Sequence, residues 1–363
     1  MTDTFFFTGF PGFLGSALLP RLLARRPGLE AAALVPDAHL PEARRRLDEI
    51  EDRDPALGGR VRLLRGDLTA RGLGLETGAL DPDRVVEIHH LAALYDVAGS
   101  RDRLHRVNVE GTERVLELAG RCRRLRGLHY VSTCYVSGRY PGRFREDQLH
   151  EVGPFNNAYE ETKHRAEVAV RERMEAGLPA TIYRPAMVVG DSGTGATQKT
   201  DGPYFVVRFL LRQPGVAVLP VVGDPEATRV NVVPRDFVVD AIAHLSSGNA
   251  ARGRCYQLAD PDPPTLGEAL EALIGAVGKP VLRIRLPTGL ARGLLAGIPG
   301  LERWIGIPRQ ALDYFSHPTH YDVSHAREGL AETGIRVPPF AQYVHRLVRF
   351  LREHPDLAPD PMG

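Results

Sequence analysis

The chain has 363 residues, of which 43% are hydrophobic and 25% charged, and its formal net charge is +1. These values are ordinary for a globular protein with a large core, and the balanced charge gives no reason to expect nucleic acid as a partner. Its 3 cysteines lack disulfide or metal-ligand spacing, which fits a reducing compartment, so we expect a cytoplasmic protein. No apolar run reaches the roughly 18 residues that a transmembrane segment needs, and no signal peptide is expected.

Short apolar runs alternate with helical patterns over the first 185 residues. Strands are predicted at Phe5–Thr8, Ala31–Val35, Val61–Leu64, Val85–Leu91, Leu128–Ser132 and Thr181–Tyr183. Between them, helices are predicted at Phe13–Arg26, Pro41–Glu51, Val107–Leu118 and Tyr159–Glu175. Repeated alternation of strand and helix predicts an α/β fold whose parallel sheet is covered on both faces.

Beyond Pro185 the pattern changes. The polar, glycine-rich segment Gly190–Gly202 is expected to form a loop close to a site. Later elements are predicted as a helix at Phe205–Arg212, a strand at Val230–Val233, a helix at Phe237–Leu245, a strand at Cys255–Leu258 and an amphipathic helix at Phe340–Glu353. Helices dominate from Thr265 onward, so we expect a smaller, mainly helical second part.

Three glycines follow the first strand, in the sequence T-G-F-P-G-F-L-G at residues 8–15. Glycines at this junction permit a tight turn, close approach to a pyrophosphate and packing of helix on strand, while the helix N-terminus favours anions. A turn with a purely structural role is the alternative. The context favours dinucleotide binding, with cofactor contacts expected from Gly9, Phe10, Pro11, Gly12, Phe13, Leu14 and Gly15.

A second motif, Y-x-x-x-K, is formed by Tyr159 and Lys163. Residues four apart lie on one face of a helix, so a phenol and an ammonium project together. A neighbouring cation favours phenolate, and we therefore expect a lowered pKa for Tyr159 and a role in proton transfer. An unrelated tyrosine and lysine on a helix surface are the alternative.

The wide glycine spacing, together with Tyr159 and Lys163, resembles the extended short-chain dehydrogenase/reductases. The same resemblance is carried by Gly66-Asp67-Leu68, Leu91-Ala92-Ala93, Val107-Asn108-Val109, Tyr130–Gly138 and Arg184-Pro185. It implies an α/β Rossmann-type doubly wound parallel sheet. It also implies a dinucleotide-binding domain at residues 1–189, completed by about 228–262, and a helical C-terminal substrate cap formed by 190–227 and 263–363.

The resemblance implies roles for individual residues. Catalytic roles fall on Asn108, Thr133, Tyr159 and Lys163, with Ser132 as the alternative to Thr133 for polarising a substrate oxygen. Cofactor contacts are implied for Asp67 and Leu68 at the adenine, Ala92 and Ala93 at the ribose, Lys163 at the nicotinamide ribose, and Pro185 and Val188 beside the nicotinamide.

The choice between NADPH and NADH depends on charges after the second strand. Related reductases often carry arginine where this chain has Pro36, and Asp37 would favour NADH if its side chain reached the ribose. Arg44, Arg45 and Arg46 follow on a helix and could hold a phosphate, although a solvated helix face is an equal alternative. We predict NADPH, with Arg44 as a contact and NADH still possible.

Several stretches, including H-H-L-A-A-L-Y-D-V at 89–97 and V-S-T-C-Y-V-S-G at 131–138, resemble the acyl-thioester reductase branch. That branch includes fatty acyl-CoA reductases and the terminal domains of carboxylic acid reductases. The resemblance implies reduction of an acyl thioester, or of the corresponding aldehyde, with the acyl group on CoA or on a separate carrier protein. A homodimer is possible. The apolar segment Leu290–Ile307 could line an acyl channel, although a core helix is the default interpretation.

Two other functions stay open. A nucleotide-sugar epimerase or dehydratase would use the same Thr–Tyr–Lys set with NAD, and Asp37 favours it mildly. A non-catalytic nucleotide sensor is disfavoured by the intact Tyr159 and Lys163. His89-His90 and His317–His320 lack a convergent set of partner ligands, so no metal site is predicted.

Overall fold

The computed structural model describes residues 2–96, 99–248, 252–287, 289–290, 293, 313–314 and 316–357. Its centre is a sheet of seven strands: β1 Asp3–Thr8, β2 Leu29–Val35, β3 Val61–Arg65, β4 Val85–His90, β5 Gly127–Val131, β7 Ala180–Pro185 and β11 Cys255–Leu258. Their order in the sheet is β11-β7-β5-β4-β1-β2-β3, and every neighbouring pair is parallel.

Helices connect these strands. They are α1 Gly15–Arg25, α2 Leu40–Arg53, α3 Arg101–His105, α4 Gly111–Arg121, α5 Ala158–Glu175 and α7 Arg235–Leu245, with a π-helical turn at Arg106–Glu110 between α3 and α4. The predicted strands and helices of this part are all present, with ends that differ by a few residues. The expected α/β doubly wound parallel sheet is confirmed.

Helices cover both faces of the sheet, and the side-chain alternation along β1 shows it. Phe5 and Phe7 pack on one face of the sheet with residues of α1 and α7, whereas Phe6 packs on the other face with residues of α4 and α5. Successive side chains of a strand point to opposite faces, so a strand buried on both sides reads as a continuous apolar run. This is why the triplet Phe5–Phe7 is uninterrupted.

The rest of the described chain builds a second buried cluster. Its helices are α6 Pro203–Arg212, α8 Leu266–Val277 and α10 Phe340–Glu353, and α9 Ser324–Leu330 packs on the main core instead. Three pairs of parallel strands accompany them: β8 Met187–Val189 with β10 Val232–Pro234, β9 Ala217–Val222 with β12 Val281–Leu286, and β6 Gly142–Phe144 with β13 Thr319–Tyr321. The sequence did not predict β6, β8, β9, β12 or β13.

The order of the strands places the candidate site. β1 lies between β2 and β4, so the chain moves away from β1 in one direction through β3 and then in the other direction from β4 onward. Ligands of doubly wound sheets bind at this switch point, outside the carboxyl ends of the strands. The glycine loop follows β1 at that position. None of the described helices combines the length and hydropathy needed to cross a bilayer.

Candidate active site

A cavity of about 710 Å³ opens at the carboxyl edge of the sheet, between the sheet and the second buried cluster. Of the residues that the sequence predicts as site residues, those lining it are Gly9, Phe10, Pro11, Gly12, Phe13, Leu14, Gly15, Asp67, Leu68, Ala92, Ala93, Thr133, Tyr159, Lys163, Pro185 and Val188. The fold therefore brings together segments separated by up to 179 positions of sequence. Asn108 and Arg44 do not line this cavity.

Two glycines of the loop after β1 stand where no side chain fits. A Cβ atom on Gly9, whose φ is +94°, would lie 2.9 Å from the Ala92 backbone nitrogen. A Cβ atom on Gly15 would clash with the carbonyl oxygen of Gly9. The loop is closed by the Gly12 N–H, which donates to that same carbonyl at 3.0 Å. The loop thus leads directly into the N-terminus of α1, the end of a helix at which anions are favoured.

Thr8 ties this loop to the next strand of the sheet. Its hydroxyl oxygen accepts a hydrogen bond from the Ala92 N–H at 3.1 Å and lies 2.7 Å from Nδ1 of His90. The Ala92-Ala93 segment is thereby fixed beside the glycine loop. His90 thus has a structural role at this position.

Lys163 is a buried residue of the cavity lining, and its ammonium nitrogen donates to the Tyr130 hydroxyl at 2.8 Å and to the Val131 carbonyl oxygen at 2.9 Å. Burial lowers its pKa to about 7. The N-cap of α5, the helix that carries Lys163, is Asn157, whose side chain accepts from the Glu160 N–H at 3.0 Å. That cap sets the start of the turn that presents Tyr159.

The expected lowering of the Tyr159 pKa is wrong for this chain. Burial raises the pKa of Tyr159, and the negative charges of Glu160 and Asp201 raise it further. The expectation counted the Lys163 cation alone, whereas the folded chain also desolvates the phenol and brings two carboxylates near it. Tyr159 is consequently protonated at neutral pH, which suits a group that donates a proton.

Thr133 lines the cavity at the end of β5. Its hydroxyl lies 3.4 Å from the Pro185 carbonyl oxygen and accepts from the Tyr135 N–H at 3.3 Å, so the side chain caps a short helical turn. Ser132, the alternative, lines the same cavity. Both hydroxyl residues therefore stay available as contacts to a substrate oxygen.

Asn108 does not reach the cavity. It is buried in the π-helical turn, where its side chain accepts from the Leu94 N–H at 2.7 Å and donates to the Leu94 carbonyl at 3.1 Å and to the Thr162 hydroxyl at 3.1 Å. These bonds hold the 91–95 segment against α5. Its geometry is that of a positioning residue and does not fit the catalytic role that the resemblance implies.

The charged residues after β2 are distributed differently from the prediction. Asp37 forms an exposed ion pair with Arg65 at 2.8 Å, which lowers the pKa of Asp37, and neither side chain lines the cavity. Arg44 is exposed on α2. Arg46 faces the Gly190–Gly202 loop, where the Gln198 side-chain oxygen accepts from its guanidinium at 2.7 Å when the amide is oriented to satisfy both groups. Gln198 lines the cavity, so Arg46 is the arginine of the three that adjoins it.

Arg184, which precedes Pro185, forms a fully buried ion pair with Glu167 of α5, at 2.6 Å. The Arg184 guanidinium holds the pKa of Glu167 at about 2 even though burial opposes ionisation. Glu167 lies on α5 one turn beyond Lys163, and Arg184 lies on β7 beside Pro185. The ion pair therefore holds the part of α5 that carries Lys163 against the Pro185 side of the cavity.

The sequence missed several residues that line the cavity. Tyr95, Lys199 and Asp201 form a polar group beside Tyr159, and Tyr135 and Tyr314 add two further rings. The far wall is apolar and comes from α6, α8, α10 and β10: Phe205, Val206, Val232, Leu266, Ala269, Leu270, Leu273 and Phe340. The proposed acyl-channel segment Leu290–Ile307 lies, apart from Leu290 and Gly293, outside the described residues. Among these unpredicted cavity residues, only Lys199 and Asp201 had a sequence signal, because they belong to the polar loop Gly190–Gly202 that was expected near a site.

One group of possible metal ligands is present among the described residues, namely Glu87, His89 and His129 in the core. Arg26 forms an ion pair with Glu87 at 2.6 Å, and the rings of His89 and His129 stack at 4.5 Å. A cation held by Glu87 would have to displace Arg26. This cluster lies within the packed sheet and is not part of the cavity.

Comparison with known proteins places this geometry in a family. The model of an NAD-binding family described as male sterility protein matches residues 7–242. Among curated proteins, the chain is 31% identical over 280 residues to aldehyde reductase lnaA of Aspergillus flavus, which covers 71% of this chain and 26% of that protein. The chain therefore spans about a quarter of the length of that relative.

Two solved structures are similar over nearly the whole chain. The terminal R domain from the myxalamid PKS-NRPS biosynthetic pathway has a TM-score of 0.83 at 27% identity and covers 99% of this chain and 92% of that chain. The reductase (R) domain of a nonribosomal peptide synthetase from Mycobacterium tuberculosis has a TM-score of 0.74 at 23% identity, with coverage of 99% and 93%. The resemblance to the acyl-thioester reductase branch is confirmed.

Proposed function

The chain belongs to the NAD-binding family described as male sterility protein, and on that premise we propose that it is an NADPH-dependent reductase of an acyl thioester or the corresponding aldehyde. One observation carries the proposal. A single cavity joins the glycine loop, the Thr133, Tyr159 and Lys163 side chains, and a continuous apolar wall. A dinucleotide cradle, a proton donor and an acyl-binding surface are the three parts that this reaction requires.

Thr133, Tyr159 and Lys163 have separate roles in the proposed reduction of a carbonyl group. Bound along the glycine loop, a reduced nicotinamide supplies the hydride for a carbonyl carbon. Thr133 and Tyr159 donate hydrogen bonds to the carbonyl oxygen as negative charge develops on it, which is where preorganised donors contribute most. Tyr159 then passes its proton to that oxygen, and the Lys163 ammonium stabilises the phenolate that remains.

The apolar wall is evidence for a substrate whose acyl chain extends away from the reacting carbonyl group. Leu270, Leu273 and Phe340 are buried side chains of the second cluster that also face the cavity. Burial of a methylene group contributes about 0.8 kcal/mol, so such a wall selects for hydrocarbon. A thioester reduced once yields the aldehyde after loss of the thiol, and a second hydride yields the alcohol. Since similar solved structures are R domains from peptide-synthesis pathways, carrier-bound acyl groups are included among the proposed substrates.

The choice of NADPH rests on Arg46 together with Asp37. Asp37, which would favour a free ribose hydroxyl, is held by Arg65 outside the cavity. Arg46 contacts Gln198 and Glu42, which both line the cavity, and also pairs with Glu49. A guanidinium at this position complements a 2′-phosphate. This assignment replaces Arg44, which the sequence favoured.

The test is a substrate panel. Purified protein is mixed with NADPH or NADH and with acyl-CoA thioesters, aldehydes or nucleotide sugars, and the nicotinamide absorbance is followed. We expect oxidation of NADPH with thioesters or aldehydes. Turnover of nucleotide sugars alone would refute the proposal, and so would cofactor binding without turnover of anything in the panel.

Tyr159→Phe is the internal control. It removes the proton donor and keeps the ring, so turnover should fall by about 100-fold or more while cofactor affinity stays within about twofold of the original. An unchanged turnover would mean that the assigned proton donor is wrong.

A further inference from the structure

The two halves of the Gly190–Gly202 loop are held by different parts of the molecule. In the first half, the Ser192 N–H and hydroxyl donate to Asp236 at 2.7 and 2.6 Å, and Arg346 donates to the Ser192 carbonyl at 2.8 Å. These bonds tie it to α7 and α10. The second half, from Gln198 to Asp201, instead faces the cavity. The loop therefore extends from a fixed base to the catalytic residues.

Asp201 is the residue at which the second half meets the active site. The Tyr95 hydroxyl donates to Asp201 Oδ2 at 2.7 Å, and the Lys199 ammonium lies 3.1 Å from the same oxygen. Lys199 also stands over the Tyr95 ring, 3.6 Å from its centre. The Tyr95 ring in turn packs edge-on against Tyr159, with 4.8 Å between ring centres.

We propose that Asp201, acting through Tyr95, positions the phenol of Tyr159. The loop would then both line the active site and help to orient its proton donor. The proposal rests on the reductase function proposed above. Tyr95 is fixed at its hydroxyl by Asp201 and at one ring face by Lys199, and its ring is T-shaped against that of Tyr159. Because two contacts fix the Tyr95 ring, the position of the Tyr159 ring that packs against it is restricted.

Asp201 has a second effect on Tyr159, through its charge. Two carboxylates, Glu160 on α5 and Asp201 on the loop, raise the pKa of Tyr159. The other titratable groups near it are Tyr95 after β4 and Tyr130 on β5, and Lys163 and Lys199 line the same cavity. Removing the Asp201 charge should therefore make Tyr159 easier to ionise.

The experiment measures kcat and KM for aldehyde reduction by NADPH, for the full chain and four variants. Asp201→Ala removes the acceptor that fixes Tyr95, and Tyr95→Phe keeps the ring but frees it from Asp201. Each should lower kcat by about threefold to tenfold and leave KM within about twofold, because the phenol is misplaced while substrate binding is kept. Asp201→Asn keeps an acceptor for Tyr95 and should retain more of kcat than Asp201→Ala.

The control is Asp262→Asn, which removes the same charge from an exposed side chain that does not line the cavity. It should reproduce the original kcat and KM. Unchanged kcat in Asp201→Ala and Tyr95→Phe would overturn the proposal. A kcat for Asp201→Asn as low as that of Asp201→Ala, or an equal loss in Asp262→Asn, would overturn it too. Absence of activity in the unmodified protein would instead refute the reductase function and this inference with it.

Discussion

The buried ammonium of Lys163 donates a hydrogen bond to the Tyr130 hydroxyl at 2.8 Å. Tyr130 is a fully buried residue of β5, so the contact anchors the catalytic helix to the centre of the sheet. It also favours the charged form of Lys163, whose pKa burial has already lowered to about 7. The charge on Lys163 therefore depends on a side chain that does not face substrate.

Tyr130→Phe should make this dependence visible. Loss of the acceptor lowers the pKa of Lys163 further, so less of it is charged at pH 7 and reductase activity should fall by about threefold to tenfold. Lowering the pH to 6 should restore part of the loss, because the ammonium form is favoured there. Tyr183→Phe removes a buried hydroxyl that contacts His129 and not the cavity, and it is the matched control. Equal losses in both variants, at all pH values, would contradict the argument.

Gly15→Ala should impair cofactor binding. Its methyl group would strike the Gly9 carbonyl oxygen and push α1 away from the loop, which displaces the N–H groups of the cradle. We expect the dissociation constant for NADPH, measured by fluorescence titration, to rise by about tenfold or more. Gly28→Ala introduces the same methyl group where nothing lies within 4 Å, and should bind NADPH as the original protein does.

Arg46→Ala should discriminate between the two nicotinamide cofactors. If the Arg46 guanidinium contacts the 2′-phosphate, its loss should raise the KM for NADPH by about tenfold and change the KM for NADH by less than about twofold. Arg44→Ala, on the exposed side of the same helix, should affect neither. A parallel change in both KM values for Arg46→Ala would remove the basis for choosing NADPH.

Ala269→Leu should shorten the acyl-binding wall. Ala269 is a buried residue of α8 that faces the cavity, so a larger side chain there occupies space beside Leu270. We expect kcat/KM to fall by about tenfold for long-chain acyl thioesters and to stay within about twofold for short aldehydes. Ala272→Leu, on the same helix but away from the cavity lining, is the control. Equal loss for short and long substrates would place the acyl chain elsewhere.

Acid should destabilise the fold through its buried histidines, among them His90, whose pKa burial lowers to about 3, and the stacked pair His89 and His129. Burial holds the pKa values of His89 and His129 below the ordinary 6.5. Below pH 6.5 the unfolded chain therefore binds protons that the folded chain does not, and the free energy of unfolding falls by about 1.4 kcal/mol per pH unit for each histidine. Above pH 6.5 this stability is fully present.

Urea denaturation between pH 7.5 and pH 5.5 measures this slope. His129→Phe should reduce it by about 1.4 kcal/mol per pH unit, because the proton that His129 takes up on unfolding is lost. His345→Ala, at an exposed position of α10, should leave it unchanged. A slope that His129→Phe does not alter would show that the core cluster is not its source.

The sequence by itself determined the parts of this protein that depend on local geometry. Strand alternation, the glycines of the β1–α1 junction, and the spacing of Tyr159 and Lys163 are set by neighbours a few positions apart. Steric limits on the backbone and the 3.6-residue period of a helix apply wherever such a segment occurs. This is why the parallel sheet and the residues lining the dinucleotide cradle could be predicted.

Only the tertiary structure decided matters that depend on distant pairs. Arg44 and Arg46 are equivalent in a sequence pattern, and α2 packing turns Arg46 toward the loop while Arg44 stays exposed. The contacts of Asn108 also depend on a distant residue, because its side chain is hydrogen-bonded to the backbone of Leu94 and does not reach the cavity. Asp201 and Tyr95 are 106 positions apart. Desolvation and the charges brought together by such contacts raised the pKa of Tyr159, since electrostatic environment is a property of the folded chain and not of a motif.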